Sequence, residues 1–286
     1  MKVAVIGADG QLGMDIMESL HDLDPIPLTY PAVDITKRAK IRSILGEHQP
    51  DWIINAAAMT HVDRCEEEDA QAFYVNALGA RYVAEASESL QAMLIFISTD
   101  YVFDGKKEKP YVETDAPGPL NVYGLSKLAG EYFTRAICPQ HYILRTSGLY
   151  GVHPCWGKGA NFVDKMLELA RTQKSIKVVN DEVLTPTFTE DLSKQIRILI
   201  DSAPSYGTYH ATNDGECSWF DFASEVFSIT GIEIDLRETT AEDWNAPAKR
   251  PAYSVLENRN LRHHGLDAFP HWRDALRRYL EKRFGA

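Results

Sequence analysis

The chain has 286 residues and a formal net charge of −11, so its surface lacks the basic footprint that phosphate-backbone binding requires, and nucleic acid is excluded as a partner. With 44% apolar and 25% charged residues it has the composition of an ordinary folded domain, and no run approaches the ~18 consecutive apolar residues that a membrane span needs. Met1-Lys2-Val3-Ala4-Val5-Ile6-Gly7 is broken by glycine too early for a signal peptide, and Cys65, Cys138, Cys155 and Cys217 show neither CxxC nor zinc-type spacing. Reduced thiols in a cytoplasmic, enzymatic α/β chain are the expectation.

Lys2–Ile6 is a short apolar run that reads as a buried strand, followed at once by Gly7-Ala8-Asp9-Gly10-Gln11-Leu12-Gly13 and then by the helical pattern Met14, Ile16, Met17, Leu20. A glycine-rich turn between strand and helix lets the backbone approach a pyrophosphate seated on the helix N-terminus. The spacing is GxxGxxG, so the place in the chain, not the motif alone, carries the dinucleotide reading. Pro25–Tyr30 reads as the second strand. An acidic residue at its end would bind a ribose 2′-hydroxyl, but Thr29 and Tyr30 stand there instead. Asp34 follows, before a helix expected over 36–47. It reads as that helix's cap, as a partner of the adenine end, or as both, and NADH and NADPH both stay open.

Pro50–Ala58 reads as a strand ending in three alanines, small enough for a flat ligand to lie on the backbone. Glu66, Glu67, Glu68 and Asp69 then form an acidic turn that complements the dipole of a long helix running to about Ser89. Met93–Ile97 is a buried strand ending in Ser98-Thr99-Asp100, where open α/β sheets place ligands. Tyr101–Leu120 reads as a loop roofing that site. Tyr123 and Lys127, four residues apart, share one helical face, with Leu125, Leu128 and Ala129 burying the other side. A tyrosine ionises near pH ~10, and a lysine beside it brings that value toward the working range, which suits proton exchange with a carbonyl or alcohol while hydride moves. Ser98 or Thr99 would complete a hydroxyl–Tyr–Lys set.

His141–Thr146 reads as a further strand, Gly148–Gly159 as a long loop, Asn161–Thr172 as a helix and Ser175–Asn180 as a strand. A helix over 190–200, a strand Tyr206–His210, a helix Trp219–Thr230 and a C-terminal helix His271–Phe284 complete the pattern. Arg250, in the proline-rich loop 246–251, is the guanidinium best placed for a diphosphate. His210 and His263-His264 lack a third ligand at metal spacing, so no metal site is read. Arg277, Arg278, Lys282 and Arg283 read as the solvated face of the last helix.

Taken together, GxxGxxG, Asn55-Ala56-Ala57-Ala58-x-Thr60-x-Val62-Asp63, Ser98-Thr99-Asp100-Tyr101-Val102-Phe103 and Tyr123-x-x-x-Lys127 resemble the extended short-chain dehydrogenase/reductase superfamily. With Pro119–Gly124, Leu128–Glu131, Asn161-Phe162 and Arg250-Pro251-x-x-Ser254, the chain resembles, over essentially its whole length, the dTDP-4-dehydrorhamnose reductase family. The resemblance implies an α/β fold: a Rossmann-like, doubly wound parallel sheet over 1–148 and a smaller interleaved substrate lobe over 149–286, with parts of about 176–211 returning to the first domain. It implies NADPH- or NADH-dependent reduction of the C4 ketone of a dTDP-linked deoxy sugar. By matching position, Tyr123 is the general acid, Lys127 holds the ribose and lowers the tyrosine pKa, and Thr99 orients the ketone. Gly7, Gly10, Gln11 and Leu12 line the pyrophosphate; Asp34, Ile35, Ala58, Met59 and Thr60 surround the adenosine and nicotinamide ends. Asp100, Asn161, Phe162 and Arg250 touch the sugar nucleotide. A homodimer is a family expectation. One departure bears on the sugar: a tryptophan usual in the family is replaced by Gly148, followed by a longer turn over 152–158 that contains Trp156. A reductase or epimerase for another nucleotide keto-sugar, and a non-catalytic NADP-binding subunit resembling the methionine adenosyltransferase beta subunit, are the competing readings.

Overall fold

The computed structural model describes residues 1–155 and 159–285. The chain opens with β1 (Val3–Ile6), α1 (Gln11–Ser19), β2 (Ile26–Leu28), α2 (Arg38–His48) and β3 (Trp52–Asn55). Next come α3 (Val62–Glu67), α4 (Asp69–Phe73), a π-helical segment Tyr74–Gly79, α5 (Ala80–Leu90), β4 (Met93–Thr99), α6 (Val122–Ile137) and β5 (His141–Thr146). β6 (Leu149–Tyr150), α7 (Phe162–Thr172), β7 (Ser175–Val179), β8 (Val183–Leu184), β9 (Thr187–Phe188), α8 (Thr189–Ser202) and β10 (Gly207–His210) follow. β11 (Cys217–Ser218), α9 (Trp219–Thr230), β12 (Asp235–Thr239), α10 (Ala241–Trp244), α11 (Arg259–His263) and α12 (Trp272–Phe284) close the chain. Among the described residues no helix is long and apolar enough to cross a membrane.

Six strands form one sheet in the order β10-β5-β4-β3-β1-β2, parallel throughout. Both faces of β1, β3 and β5 are buried, which is why these strands read as continuous apolar runs and not as alternation. Ile16 and Leu20 of the α1 region pack with Leu192, Ile196 and Leu199 of α8 on one face, and Ile41, Leu45, Val83 and Ala84 pack on the other. Each fully buried Ile, Leu or Val side chain among them contributes about 1.5–3 kcal/mol. The chain runs from β1 outward to β2 and then back to β3, so the order reverses between β1 and β3, and the crevice at their carboxyl ends is the ligand position of open α/β sheets.

The smaller lobe has its own core, built on Tyr150, Phe188, Phe222, Trp272 and Tyr279. β10 and α8 belong to the main sheet and its core, whereas β7 pairs with β12 in the lobe, so the part of 176–211 before α8 does not return to the first domain. β12, Asp-Leu-Arg-Glu-Thr, is too charged to read as a strand from its sequence, and it forms by pairing along the whole of β7. Residues 101–120 are more than a roof: Val102, Phe103 and Tyr111 are buried with Leu256, and Tyr111 N donates to Val255 O at 2.8 Å. The last helix also departs from its solvated reading. Arg278 clamps the buried Asp191 of α8 at 2.6 and 2.8 Å, and Lys282 reaches Glu190 at 3.0 Å.

Candidate active site

A cavity of about 840 Å³ runs along the carboxyl ends of β1, β3 and β4 and into the smaller lobe. At one end lies the glycine turn. Gly13 sits where an added Cβ would fall 2.0 Å from Gly7 O, so only glycine lets α1 start this close to β1. Gly10 is the N-cap of α1 and has no side-chain capping bond, which leaves the first amides of a nine-residue helix turned toward the cavity end. This is the arrangement that holds a pyrophosphate.

Of the residues expected around a cofactor, Gly7, Gly10, Gln11, Leu12, Asp34, Ile35, Ala58, Thr60, Tyr123 and Lys127 line the cavity; Met59 does not. Met59 is instead held through its backbone by Asn76, whose amide donates to Met59 O (3.0 Å) and Ser126 Oγ (3.0 Å) and whose Oδ1 accepts from Met59 N (2.8 Å). Asn76 lies in the π-helical segment, which aims it at both partners, and no periodicity marked it. Asp34 is no helix cap. It accepts from Thr36 N (2.9 Å) and Thr36 Oγ1 (2.7 Å), which delays α2 to Arg38, with Lys37 as N-cap.

Thr99, Tyr123 and Lys127 all line this cavity, and Thr99 is hydrogen-bonded to Tyr123. α6 is capped by Asn121, whose Oδ1 accepts from Gly124 N at 2.8 Å. The helix presses Gly124, Ser126, Lys127, Gly130, Glu131 and Thr134 inward, so Leu125 is exposed and Leu128 and Ala129 are half-buried, contrary to the expected buried side. Small residues sit on the buried face because α6 lies tightly on the sheet and on the π segment. Lys127 donates from Nζ to Ile97 O at 2.6 Å and lies 4.3 Å over the Phe96 ring. Burial pulls its ammonium down to about 7, with Glu131 opposing. Burial also pushes the Tyr123 phenol up; a hydrogen bond with Thr99 opposes and the Asp100 carboxylate adds to the rise. The expected lowering of Tyr123 by an adjacent ammonium is therefore not what governs the phenol in this geometry.

Asp100 is buried and accepts from Thr99 Oγ1 (3.0 Å), Ser147 Oγ (2.8 Å) and Ser254 Oγ (2.6 Å), so it ties β4 to the smaller lobe. Burial raises its carboxyl, against those three hydroxyl bonds. Ser98 also lines the cavity, but its hydroxyl gives its proton to Glu131 Oε1 at 2.6 Å, within a buried pair in which Arg145 grips both Glu131 oxygens at 2.9 and 2.7 Å. Asn161 lines the cavity and caps α7, with its amide donating to Gly151 O (3.0 Å) and Tyr279 OH (3.1 Å). Phe162 lines it too, its ring 4.5 Å from that of Trp219. Arg250 does not line the cavity; it pairs with Asp63 at 3.1 and 3.0 Å. Gly148 has φ +52, and a Cβ there would stand 2.7 Å from Leu184 Cδ1, so Leu184 fills the space a side chain would enter. Trp156 and residues 156–158 of the longer turn lie outside the described residues. Away from the catalytic set, His153 Nε2 lies 3.0 Å from Glu18 and 3.4 Å from Asp15, a grouping of ligand-type atoms brought together from distant parts of the chain where the sequence reading named no metal residues.

Sheet order, glycine turn and the Thr–Tyr–Lys set together define a Rossmann-type nucleotide-cofactor protein of the extended short-chain dehydrogenase/reductase kind. A profile described as the RmlD substrate binding domain matches residues 1–284. The chain is 40% identical over 287 residues to the spore coat polysaccharide biosynthesis protein SpsK of Bacillus subtilis, covering 100% of this chain and 99% of that one. It is 38% identical to the dTDP-4-dehydrorhamnose reductase of Sinorhizobium fredii, over 98% and 97% of the two chains. Among solved structures, dTDP-4-dehydrorhamnose reductase from Bacillus anthracis in complex with NADP superposes with a TM-score of 0.94 at 39% identity, covering 98% and 99% of the two chains. The chain belongs to the dTDP-4-dehydrorhamnose reductase family.

Proposed function

We propose that the protein reduces the C4 ketone of a nucleotide-linked deoxy sugar, dTDP-4-dehydrorhamnose being the substrate its relatives' names supply, to yield dTDP-L-rhamnose. The observation that carries this reading is the convergence of Thr99, Tyr123 and Lys127 on a cavity whose other end is the uncapped start of α1. A bound reduced nicotinamide supplies the hydride. Gln11 and Leu12, at the start of α1, would offer backbone amides to the pyrophosphate, with Gly7 and Gly10, whose own amides are bonded to Leu28 O and Gly7 O, shaping the turn beside it, and Asp34, Ile35, Ala58 and Thr60 would border the adenosine and nicotinamide ends. Met59 acts only through its backbone, which Asn76 fixes.

Thr99 orients the ketone and Tyr123 gives a proton to its oxygen as negative charge develops there. Burial keeps the phenol protonated at neutral pH, so the proton is in place when charge develops on the ketone oxygen. Lys127, fixed by Ile97 O, holds the ribose. Asp100 and Asn161 shape the sugar end by holding Ser147, Ser254 and Gly151 in place, and Phe162 gives it an apolar wall. The NADP in the B. anthracis relative supports NADPH as the reductant. The experiment is to mix the protein with NADPH or NADH and dTDP-4-dehydro-6-deoxy-L-mannose made in situ. One mole of cofactor oxidised per mole of sugar reduced is the expected outcome; conversion with no net cofactor consumption would replace the reductase reading with an epimerase.

A further inference from the structure

The acidic helix α3 does more than complement a helix dipole. Two of its carboxylates leave their own helix and hold distant parts of the site. Asp63 of α3 accepts from Arg250 Nη2 on both oxygens (3.1 and 3.0 Å) and from Ala248 N (3.2 Å), and Arg250 Nη1 closes the ring on Ala248 O at 2.9 Å. One turn along α3, Glu66 accepts from Val122 N, the first amide of α6, at 2.8 Å. Asn121, the cap of α6, returns a bond from its amide to Lys249 O at 2.7 Å. A six-residue helix, the start of the Tyr123 helix and the segment 248–250 are thus knotted together at the cavity mouth.

Among the described residues Arg250 uses Nη1 and Nη2, so Nε and one Nη1 hydrogen remain to be offered to a ligand. Its charge is felt by Tyr101, which lines the cavity and stands edge-on to Tyr123 with ring centroids 6.0 Å apart; the other neighbouring charge is Glu182. A guanidinium fixed in plane beside the cavity, with Nε–H and one Nη1–H spare on different edges, offers a fixed charge and two single hydrogen bonds to the oxygens of a diphosphate.

We propose that Asp63 is a positioning residue for substrate: it sets the plane of Arg250 for the diphosphate of the nucleotide sugar, and through Glu66 and Asn121 the same knot registers that contact to the start of the catalytic helix. This rests on the nucleotide-sugar reading above. Charge alone predicts the reverse, since a carboxylate beside a phosphate site repels the ligand and its removal should tighten binding. Orientation and charge therefore give opposite signs for one substitution.

The test is titration of the full-length protein with dTDP and, separately, with NADPH, for wild type, Asp63→Asn and Asp63→Glu. Steady-state rates on the dTDP-linked keto sugar accompany the titrations. Asp63 is partly exposed, so the amide is accommodated without a buried unpaired charge. Asp63→Asn is expected to weaken dTDP at least tenfold and to raise the sugar KM more than it lowers kcat, with NADPH affinity within twofold of wild type. Asp63→Glu, which keeps the fork, should recover part of the loss. Wild-type-like or tighter dTDP binding by Asp63→Asn would overturn the role of Asp63 alone. Wild-type protein that binds NADPH but not dTDP would overturn the substrate class and the role together.

Discussion

Lys127 carries a cost that should be measurable as stability. It is 2% exposed, and burial lowers its pKa from an ordinary 10.5 to about 7. Below pH 7 the folded protein buries an ammonium that the unfolded chain leaves in water, so the full penalty is present. Between pH 7 and 10.5 the folded lysine is neutral while the unfolded one is still protonated, so stability rises with pH, and above 10.5 the penalty is gone. At 1.36 kcal/mol per pKa unit the shift corresponds to a penalty on the order of 5 kcal/mol. Lys127→Met removes it but forfeits the bond to Ile97 O and the contact with Phe96, together about 2 kcal/mol. The cofactor-free variant should therefore be more stable than wild type by on the order of 3 kcal/mol at pH 6. The advantage should shrink as pH rises past 7 and reverse near pH ~9. Urea unfolding at a series of pH values reads this directly. A variant no more stable than wild type at pH 6, or a difference that does not change with pH, would refute the reasoning.

Glu131→Gln should cost about 3–5 kcal/mol in urea unfolding, because it leaves the Arg145 guanidinium buried and underpaired, whereas Glu131→Leu combined with Arg145→Met should return most of that stability. Gly148→Ala must hold φ +52 and push Leu184, so it should lose about 1–2 kcal/mol of stability in the same assay and raise the sugar KM while leaving NADPH affinity intact.

The sequence was most readable where function and local geometry coincide. The β1–glycine turn–α1 unit, the hydroxyl at the tip of β4 and the Tyr123–Lys127 spacing each follow from contacts a few residues apart, and all three meet in one cavity. What was not readable depends on partners far away in the chain. Arg278 looks solvated until Asp191 is brought against it, Glu66 looks like a dipole partner until Val122 N arrives, and Arg250 looks free until Asp63 takes it. β12 has no strand pattern of its own and borrows its register from β7. Leu125 shows the limit of apolarity as a guide: α6 buries glycine, serine and lysine because close approach to the sheet matters more there than side-chain area.

The central claim, that Tyr123 protonates a sugar ketone in this cavity, is tested most directly by comparing wild type with Tyr123→Phe. Each would be given NADPH and dTDP-4-dehydro-6-deoxy-L-mannose while reduced-nicotinamide absorbance is followed, and NADPH affinity would be measured separately. The account predicts turnover by wild type and at least a hundredfold lower kcat for the variant, with NADPH affinity nearly unchanged. A phenylalanine variant that turns over like wild type would contradict it.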